Sequence, residues 1–252
     1  MEIMEHNGLI REGERVDDLS CGGYRIIQDP RSFCFGIDAV LLANFAGKTS
    51  GKMIDLGTGN GVIPLLYSAK KKAPDITGLE LMEKPCDRAK RSAELNGAKE
   101  VKIIHGDIRR VKELFSPGEF RLVTSNPPYI TGGRGLENPD REKCVARHEV
   151  ELSLEELCRA AAYLLSDKGS FCMIHKPFRI PEIMKRLMEN GLEPKRLQMV
   201  QPRADRPPNM VLIESVKGAG PELKVLPALV VYDENGSILT SGAKAYYGEY
   251  SG

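Results

Sequence analysis

Apolar and polar positions along the chain fall into short blocks whose period switches between that of a strand and that of a helix. From Lys52 the alternation is regular. Lys52–Leu56 reads as a short buried strand, Gly57–Gly61 as a turn and Val62–Lys72 as a helix closed by Pro74. Asp75–Leu79 then reads as a strand, Met82–Asn96 as a helix ending at Asn96-Gly97, and Val101–His105 as a strand. Arg109–Phe115 is a short helix, Phe120–Thr124 a strand, Leu152–Leu165 a helix, Ser170–Ile174 a strand, and Ile180–Asn190 a helix stopped by Gly191. Strand–helix units in such succession predict an α/β fold with a mostly parallel sheet covered on both faces, because parallel neighbours need crossover connections.

The two ends of the chain break this rhythm. Glu14–Asp29 has β-prone pieces around Cys21-Gly22-Gly23 and reads as a hairpin, followed by a helix over Ile37–Ala46. Near the other end, Leu197–Val200 and Met210–Val216 are two strands separated only by the Pro-rich Gln201–Pro208, which predicts an antiparallel hairpin at a sheet edge. The expectation is a seven-stranded sheet. After Gly218-Ala219-Gly220-Pro221, the Asn235-Gly236 turn between Ala228–Asp233 and Ser237–Thr240 predicts one further hairpin. The longest stretch without a period is Ile130–Val150, 21 residues with Gly132-Gly133, Gly135 and Asn138-Pro139. Loops of that length inside a domain carry function or are disordered.

Composition narrows the class. With 252 residues, 41% of them hydrophobic, the chain can bury a substantial core, and 28% charged residues exclude a membrane-embedded protein. No apolar run approaches the roughly 20 residues that span a bilayer. The expected organisation is one domain, with a lead-in over 1–51, a core over 52–218 and an extension over 219–252. The opening Met-Glu-Ile-Met-Glu-His lacks the basic and apolar regions of a secretory signal, so the cytoplasm is the expected compartment. The cysteines Cys21, Cys34, Cys86, Cys144, Cys158 and Cys172 form no Cys-x-x-Cys pair, which favours reduced, mostly buried thiols over a zinc site or a disulfide framework. No metal is expected.

Three positions carry candidate chemistry. Asp55-Leu56-Gly57-Thr58-Gly59-Asn60-Gly61 follows a strand and opens a helix, and its glycines let the backbone approach a ligand closely. A dinucleotide fingerprint would place its third Gly where Val62 stands, and Asp55 would repel a pyrophosphate. A ligand offering hydroxyls or an ammonium suits this turn better. Glu80, at the end of the next strand, can accept both hydroxyls of a ribose, and Asp107 after the third can accept from an adenine amine. Singly, each acid reads better as a solvated charge or a helix cap; jointly they outline a nucleoside pocket. Finally, Ser125-Asn126-Pro127-Pro128-Tyr129 ends the fourth strand. Its prolines hold the Asn126 side-chain carbonyl and the Pro127 backbone carbonyl as rigid acceptors beside an aromatic face, an arrangement that suits a planar –NH₂ group.

Together, Asp55–Gly61, Glu80, Asp107 and Asn126–Tyr129 resemble the successive motifs of class I S-adenosylmethionine-dependent methyltransferases, in the branch that methylates amino nitrogens. Over nearly its whole length the chain is similar to the tRNA(Val) adenine-N6 methyltransferase family, which modifies the adenosine following the anticodon. Phe35-Gly36-Ile37-Asp38-Ala39-Val40-Leu41-Leu42, Ala146-Arg147-His148-Glu149 and Arg206-Pro207-Pro208-Asn209-Met210-Val211-Leu212-Ile213-Glu214 add to the likeness. The resemblance implies a Rossmann-like fold, S-adenosyl-L-methionine as cofactor and an RNA substrate, most simply tRNA. It implies that Gly57, Gly59 and Gly61, with Asn60 in the same turn, line the methionine portion of the cofactor, with Asp55 and Asp38 near its ammonium. Glu80 would hold the ribose, Asp107 the adenine amine, and Asn126 would border both cofactor and substrate. Asn126 and Pro127 would orient the substrate amine and Tyr129 would stack on it. Neither His105 nor His148 is needed as a base.

Rival readings share the nitrogen chemistry. A glutamine-amide protein methyltransferase could use the same Asn-Pro-Pro-Tyr, but about fifty residues precede Lys52, too few for the helical domain such enzymes carry. DNA and ribosomal-RNA methyltransferases remain open, although DNA enzymes normally add a recognition domain. A nucleoside-binding module without activity is disfavoured by the intact Asn126–Tyr129. Charge bears on the substrate: 36 Lys+Arg against 35 Asp+Glu give a net +1, which by itself weighs against a polyanion. Locally, Lys176–Arg206 carries eight basic residues against four acids, while Arg134–Glu156 carries four against seven. Lys70-Lys71-Lys72 and Arg109-Arg110 add smaller clusters; each is equally readable as a solvated helix face.

Overall fold

The structure, a computed structural model, describes residues 8–32, 34–128, 152–236 and 238–247. Tyr129, the Ile130–Val150 stretch with His148, and Cys144 lie outside the described residues. The lead-in is an antiparallel pair, β1 (Arg15–Asp18) and β2 (Arg25–Gln28), then α1 (Ile37–Phe45). The alternating core follows: β3 (Met53–Leu56), α2 (Val62–Ala69), β4 (Ile76–Glu80), α3 (Glu83–Leu95), β5 (Val101–His105), α4 (Val111–Leu114) and β6 (Phe120–Ser125). Then come α5 (Leu154–Leu164), β7 (Leu165–His175), α6 (Ile180–Glu189), β8 (Leu192–Gln201), β9 (Met210–Lys217), β10 (Lys224–Val230) and α7 (Ser241–Tyr247).

One sheet gathers eight strands in the order β10-β8-β9-β7-β6-β3-β4-β5. Neighbouring strand residues face opposite sides. Met53, Leu122, Cys172 and Leu212 point into a core shared with α1 and α2, whereas Ile54, Val123, Met173 and Ile213 point into one shared with α5 and α6. Double burial explains why these strands read as continuous apolar runs rather than as alternating ones. The lead-in hairpin is pinned to α3, with Ile27 N–H donating to Ser92 Oγ at 2.9 Å and Arg25 N–H to Asn96 Oδ1 at 2.8 Å.

Two expectations about the tail need correction. The β8–β9 pair is antiparallel, but it is interior rather than at the edge: β9 also pairs with β7, and β10 runs parallel along the other side of β8. The sheet therefore has eight strands, not seven. The Asn235-Gly236 hairpin shrinks to a single antiparallel bridge, Tyr232 to Leu239. The first half of the segment that precedes that turn, Ala228–Val230, instead belongs to the strand that completes the free edge of β8. Pro227 sits where the β8–β10 register shifts between Leu226 and Leu229, and an outermost strand tolerates the missing N–H.

No helix among the described residues is long and apolar enough to cross a membrane. Of the described cysteines, Cys21, Cys86, Cys158 and Cys172 are buried free thiols and Cys34 is half-buried. Burial pushes the Cys158 thiol up to about 12, so it stays protonated and inert.

Candidate active site

Chain order reverses between β3 and β6. From β3 the chain steps outward through β4 to β5, then returns to β6 on the opposite side. Open α/β sheets bind ligands beside such a reversal, at the carboxyl ends of the strands. There the ends of β3, β4 and β6 are tied together by side chains. Asp55, 1% exposed, accepts a 2.7 Å hydrogen bond from Thr124 Oγ1 on β6. Ser125 Oγ donates to Leu56 O at 2.8 Å, and the N–H groups of Gly57 and Thr58 donate to Leu79 O on β4. Glu80 uses both carboxylate oxygens, accepting from Gly59 N–H at 2.7 Å and from Met82 N–H at 2.8 Å.

Burial holds the Asp55 carboxyl up to about 6, and the charge of Glu80 adds to the rise; the nearby hydroxyls of Thr124 and Thr58 oppose it. The turn between these acids is open toward solvent. A Cβ built on Gly57 or Gly59 would meet nothing within 4 Å, whereas one on Gly61, at φ +86°, would lie 3.1 Å from Ala89 Cβ. Gly61 thus serves the approach of α2 to α3, and Gly57 and Gly59 border the open space. Thr58 Oγ1 is the one buried side-chain polar atom among the described residues that makes no hydrogen bond of good geometry. An unmatched hydroxyl, two buried carboxylates with acceptor capacity left and an open backbone cradle fit a ligand rich in hydroxyl and ammonium donors.

Asn60 and Asp107 are otherwise engaged. Asn60 Oδ1 accepts from Nε of the buried Arg88 at 2.9 Å, which fastens the turn to α3. Asp107 caps the turn after β5 by accepting from Arg109 N–H, and its carboxylate is gripped by the Arg109 guanidinium at 2.6 Å. That guanidinium holds the Asp107 carboxyl below the usual range. His105, one strand end away, pairs through Nε2 with Leu81 O at 2.8 Å.

On the other side of the reversal, Pro127 and Pro128 follow β6 directly and, lacking N–H groups, cannot prolong its ladder. Asn126 is half-buried there, and its Nδ2 donates to Asp38 Oδ2 at 3.1 Å. Asp38 stands in the first turn of α1 and its Oδ1 accepts from Ala39 N–H. This contact, across 88 positions of sequence, sets the amide so that its NH₂ faces α1 and its oxygen is turned away from Asp38. His175 at the end of β7, 2% exposed, lies two residues beyond Met173, the residue level with Ser125. Burial first, then the charges of Arg179 and Lys176, lowers its imidazole to about 4. Nδ1 accepts from Lys176 N–H at 2.7 Å, so the neutral ring carries its proton on Nε2.

The structure thus brings Asp55, Gly57, Gly59, Glu80, Asp38, Asn126 and Pro127 to one stretch of sheet edge; Asp107 lies at its far end, Asn60 and Gly61 face α3, and Tyr129 is outside the described residues. Thr58, Arg88, Thr124, Ser125 and His175 belong to the same framework without having been singled out from sequence. Thr124-Ser125 had a readable signal, two hydroxyls ending an otherwise apolar strand. Arg88 and His175 had none.

A doubly wound sheet with a glycine turn, strand-end acids and Asn-Pro-Pro at its reversal defines a class I methyltransferase. Residues 30–196 match the methyltransferase small domain family, to which the chain belongs. Within that class the chain is 31% identical over 208 residues to the tRNA1(Val) (adenine(37)-N6)-methyltransferase of Porphyromonas gingivalis, spanning 79% of this chain and 80% of that protein. The Proteus mirabilis protein of the same name is 28% identical over 216 residues, 83% of each chain. Among solved structures, a predicted O-methyltransferase from Agrobacterium tumefaciens shares the fold with a TM-score of 0.67 at 21% identity, over 83% of this chain and 95% of that one. TYW2 from Pyrococcus horikoshii, solved with MeSAdo, shares it at 0.59 and 13% identity, over 83% and 73%.

Proposed function

We propose that the protein transfers the methyl group of S-adenosyl-L-methionine to the exocyclic N6 amine of an adenosine in tRNA, at the anticodon-loop position next to the anticodon. The observation that carries this reading is the Asp38–Asn126 contact at the end of β6, directly across the sheet reversal from the Gly57–Gly59 cradle. The names of the relatives supply the tRNA position.

Glu80 holds the ribose of the cofactor through acceptor capacity beyond its bonds to Gly59 and Met82, and Asp55 and Thr58 face the methionine end. When bound, S-adenosylmethionine supplies a methyl group on a positively charged sulfur. Asn126, with its NH₂ committed to Asp38, presents Oδ1 to one N–H of the adenine amine, and the Pro127 carbonyl accepts the other. Both bonds draw the nitrogen lone pair out of conjugation and aim it at the methyl group, so the residues act by positioning and electrostatics. Tyr129 stacks on the base. The nitrogen becomes acidic once methylated and releases its proton to solvent, so no side chain has to take it beforehand. Because the amine must reach the sheet edge, the adenosine has to be unstacked.

The test offers labelled S-adenosylmethionine with total tRNA, ribosomal RNA, DNA and a release factor in parallel. N6-methyladenosine in tRNA is the expected product; label in methylglutamine, in DNA or in ribosomal RNA overturns the reading.

A further inference from the structure

The basic run Lys176–Arg206 is divided by the fold into two very different groups. Lys185 and Arg186 lie on α6 and are paired with Glu189, Arg186 also with Glu155. Arg196 binds Glu214 and covers the Phe45 ring, and Lys195 donates to the carbonyls of Gly220 and Pro221. These four support the fold. Lys70 and Lys72 likewise donate to Asn44 Oδ1 and Ala43 O at the end of α2 that points away from the site.

Arg203 and Arg206 are placed otherwise. β8 is antiparallel to β9, and β9 to β7, so β7 and β8 point the same way, and β10 runs with β8. The carboxyl ends of β8 and β10 therefore open on the same sheet edge as Asn126. There the loop after β8 and the turn after β10 border a shallow, open cleft of about 550 Å³ lined by Arg203, Arg206, Asn209 and Tyr232, with Pro202, Pro207 and Gly236. With adjacent strands about 4.8 Å apart, three strand steps place this cleft roughly 14 Å from the end of β6.

The loop is fixed by its own bonds. Tyr232 N–H donates to Pro202 O at 2.9 Å, Asn209 N–H to Val200 O at 3.0 Å, and Gln201 Nε2 to Arg206 O at 3.0 Å. Both arginines pair with Asp205, which is 64% exposed, and Arg206 is itself 62% exposed, so its guanidinium still faces solvent. Between the cleft and Asn126, the turn Pro177–Arg179 after β7 presents Phe178, 63% exposed, next to Lys176 and Arg179. Cations beside aromatic faces are the chemistry of single-stranded nucleic-acid recognition.

We propose that this cleft binds a nucleotide of the RNA substrate other than the target adenosine, with Arg203 and Arg206 on its phosphate and Tyr232 against its base. The proposal rests on the tRNA reading above, and gives that reading a second point of attachment along the same edge.

The test uses the full chain as wild type, Arg206→Ala, the Arg203→Ala/Arg206→Ala pair, Tyr232→Ala and Tyr232→Phe. Binding of a fluorescein-labelled unmodified tRNA(Val) transcript is followed against salt, beside S-adenosylmethionine affinity and turnover on total tRNA. For the double variant, RNA affinity falls about tenfold and the salt slope drops by roughly 0.7, the amount for one lost single-strand phosphate contact. Arg206→Ala loses about half that slope; Tyr232→Phe binds as wild type and Tyr232→Ala more weakly. S-adenosylmethionine affinity and kcat at saturating tRNA stay within twofold, which certifies the fold. If wild type methylates tRNA and the double variant keeps its RNA affinity and slope, the cleft proposal falls alone. If wild type binds the transcript in an arginine-dependent way but methylates no tRNA, the functional reading falls and the cleft stands. Failure of wild type to bind the transcript overturns the cleft as well.

Discussion

The two halves of the sheet edge are stabilised by different means. On the β3–β5 side the polar groups are interlocked across strands before any ligand arrives: Thr124 holds Asp55, Glu80 holds two backbone N–H groups, and Arg88 holds Asn60. Beyond the buried Thr124, Ser125 and His175, the groups on the β6–β10 side are half-buried or exposed, and their bonds run to a distant helix or stay within one loop, as in Asn126 to Asp38 and Arg203 to Asp205. A small cofactor brings little binding energy and needs a site already formed, whereas a large RNA can pay for orienting its own contacts. Even within the first half, environments diverge. Asp55 is raised by burial with no cation beside it, while Asp107 is lowered by the guanidinium that covers it.

Substitutions can break this contrast in order of effect. Asn126→Ala should reduce turnover by about 10²–10³-fold, the scale for losing a preorganised electrostatic contact, while calorimetry finds cofactor affinity unchanged. Equal loss of both would merge the two halves into one site. Glu80→Gln should act in the reverse sense, weakening S-adenosylmethionine binding by about 10–100-fold, as expected for hydrogen bonds to a charged group, with RNA affinity retained.

A subtler test is pH. A cationic ammonium near Asp55 favours the ionised carboxylate, so S-adenosylmethionine affinity should fall about tenfold between pH 7 and pH 5 as Asp55 takes up its proton, and Asp55→Asn should flatten that profile. Stability carries opposite signs. Between 3.8 and about 6, folded Asp55 keeps a proton that the unfolded chain has released, so its contribution declines as pH rises. His175 does the reverse: between about 4 and 6.5 the unfolded chain holds the extra proton, so its contribution grows with pH. Melting temperature should therefore change little across this window in the wild type and climb with pH in Asp55→Asn. The smallest effect is expected at Arg109→Ala, which uncovers Asp107. An exposed ion pair is worth about 1 kcal/mol or less, so cofactor affinity should rise by no more than about fivefold in the same calorimetric assay.

Much of the fold was legible because the core strands are buried on both faces and each is followed by a turn and a periodic helix; β3 to β6 and their helices appear within a few residues of their expected bounds. The tail was harder. The strand expected over Ala228–Asp233 lies at Lys224–Val230 instead, because its partner is β8, which can be found only in three dimensions, and not the segment after the Asn235-Gly236 turn. At the site, the candidate residues near strand ends were legible from position: Asp55, Glu80 and Asn126 all stand there. Their partners were not. Nothing in the order of residues pairs Asp38 with Asn126, or shows that Arg109 covers Asp107. The charge runs misled most, since a cluster in sequence such as Lys185-Arg186 is folded into ion pairs on a helix.

The Asp38–Asn126 contact also has a temporal side. Asp38 leaves the ribosome 88 residues before its partner. At about 5–20 residues per second, that separation amounts to several seconds of synthesis during which the α1 and Gly57 residues have been made but the amide proposed to orient the amine has not. A nascent chain stalled within that interval would have begun the cofactor half of the edge and would lack Asn126, so the order of translation itself keeps methyl transfer silent until the second half of the sheet has begun to form.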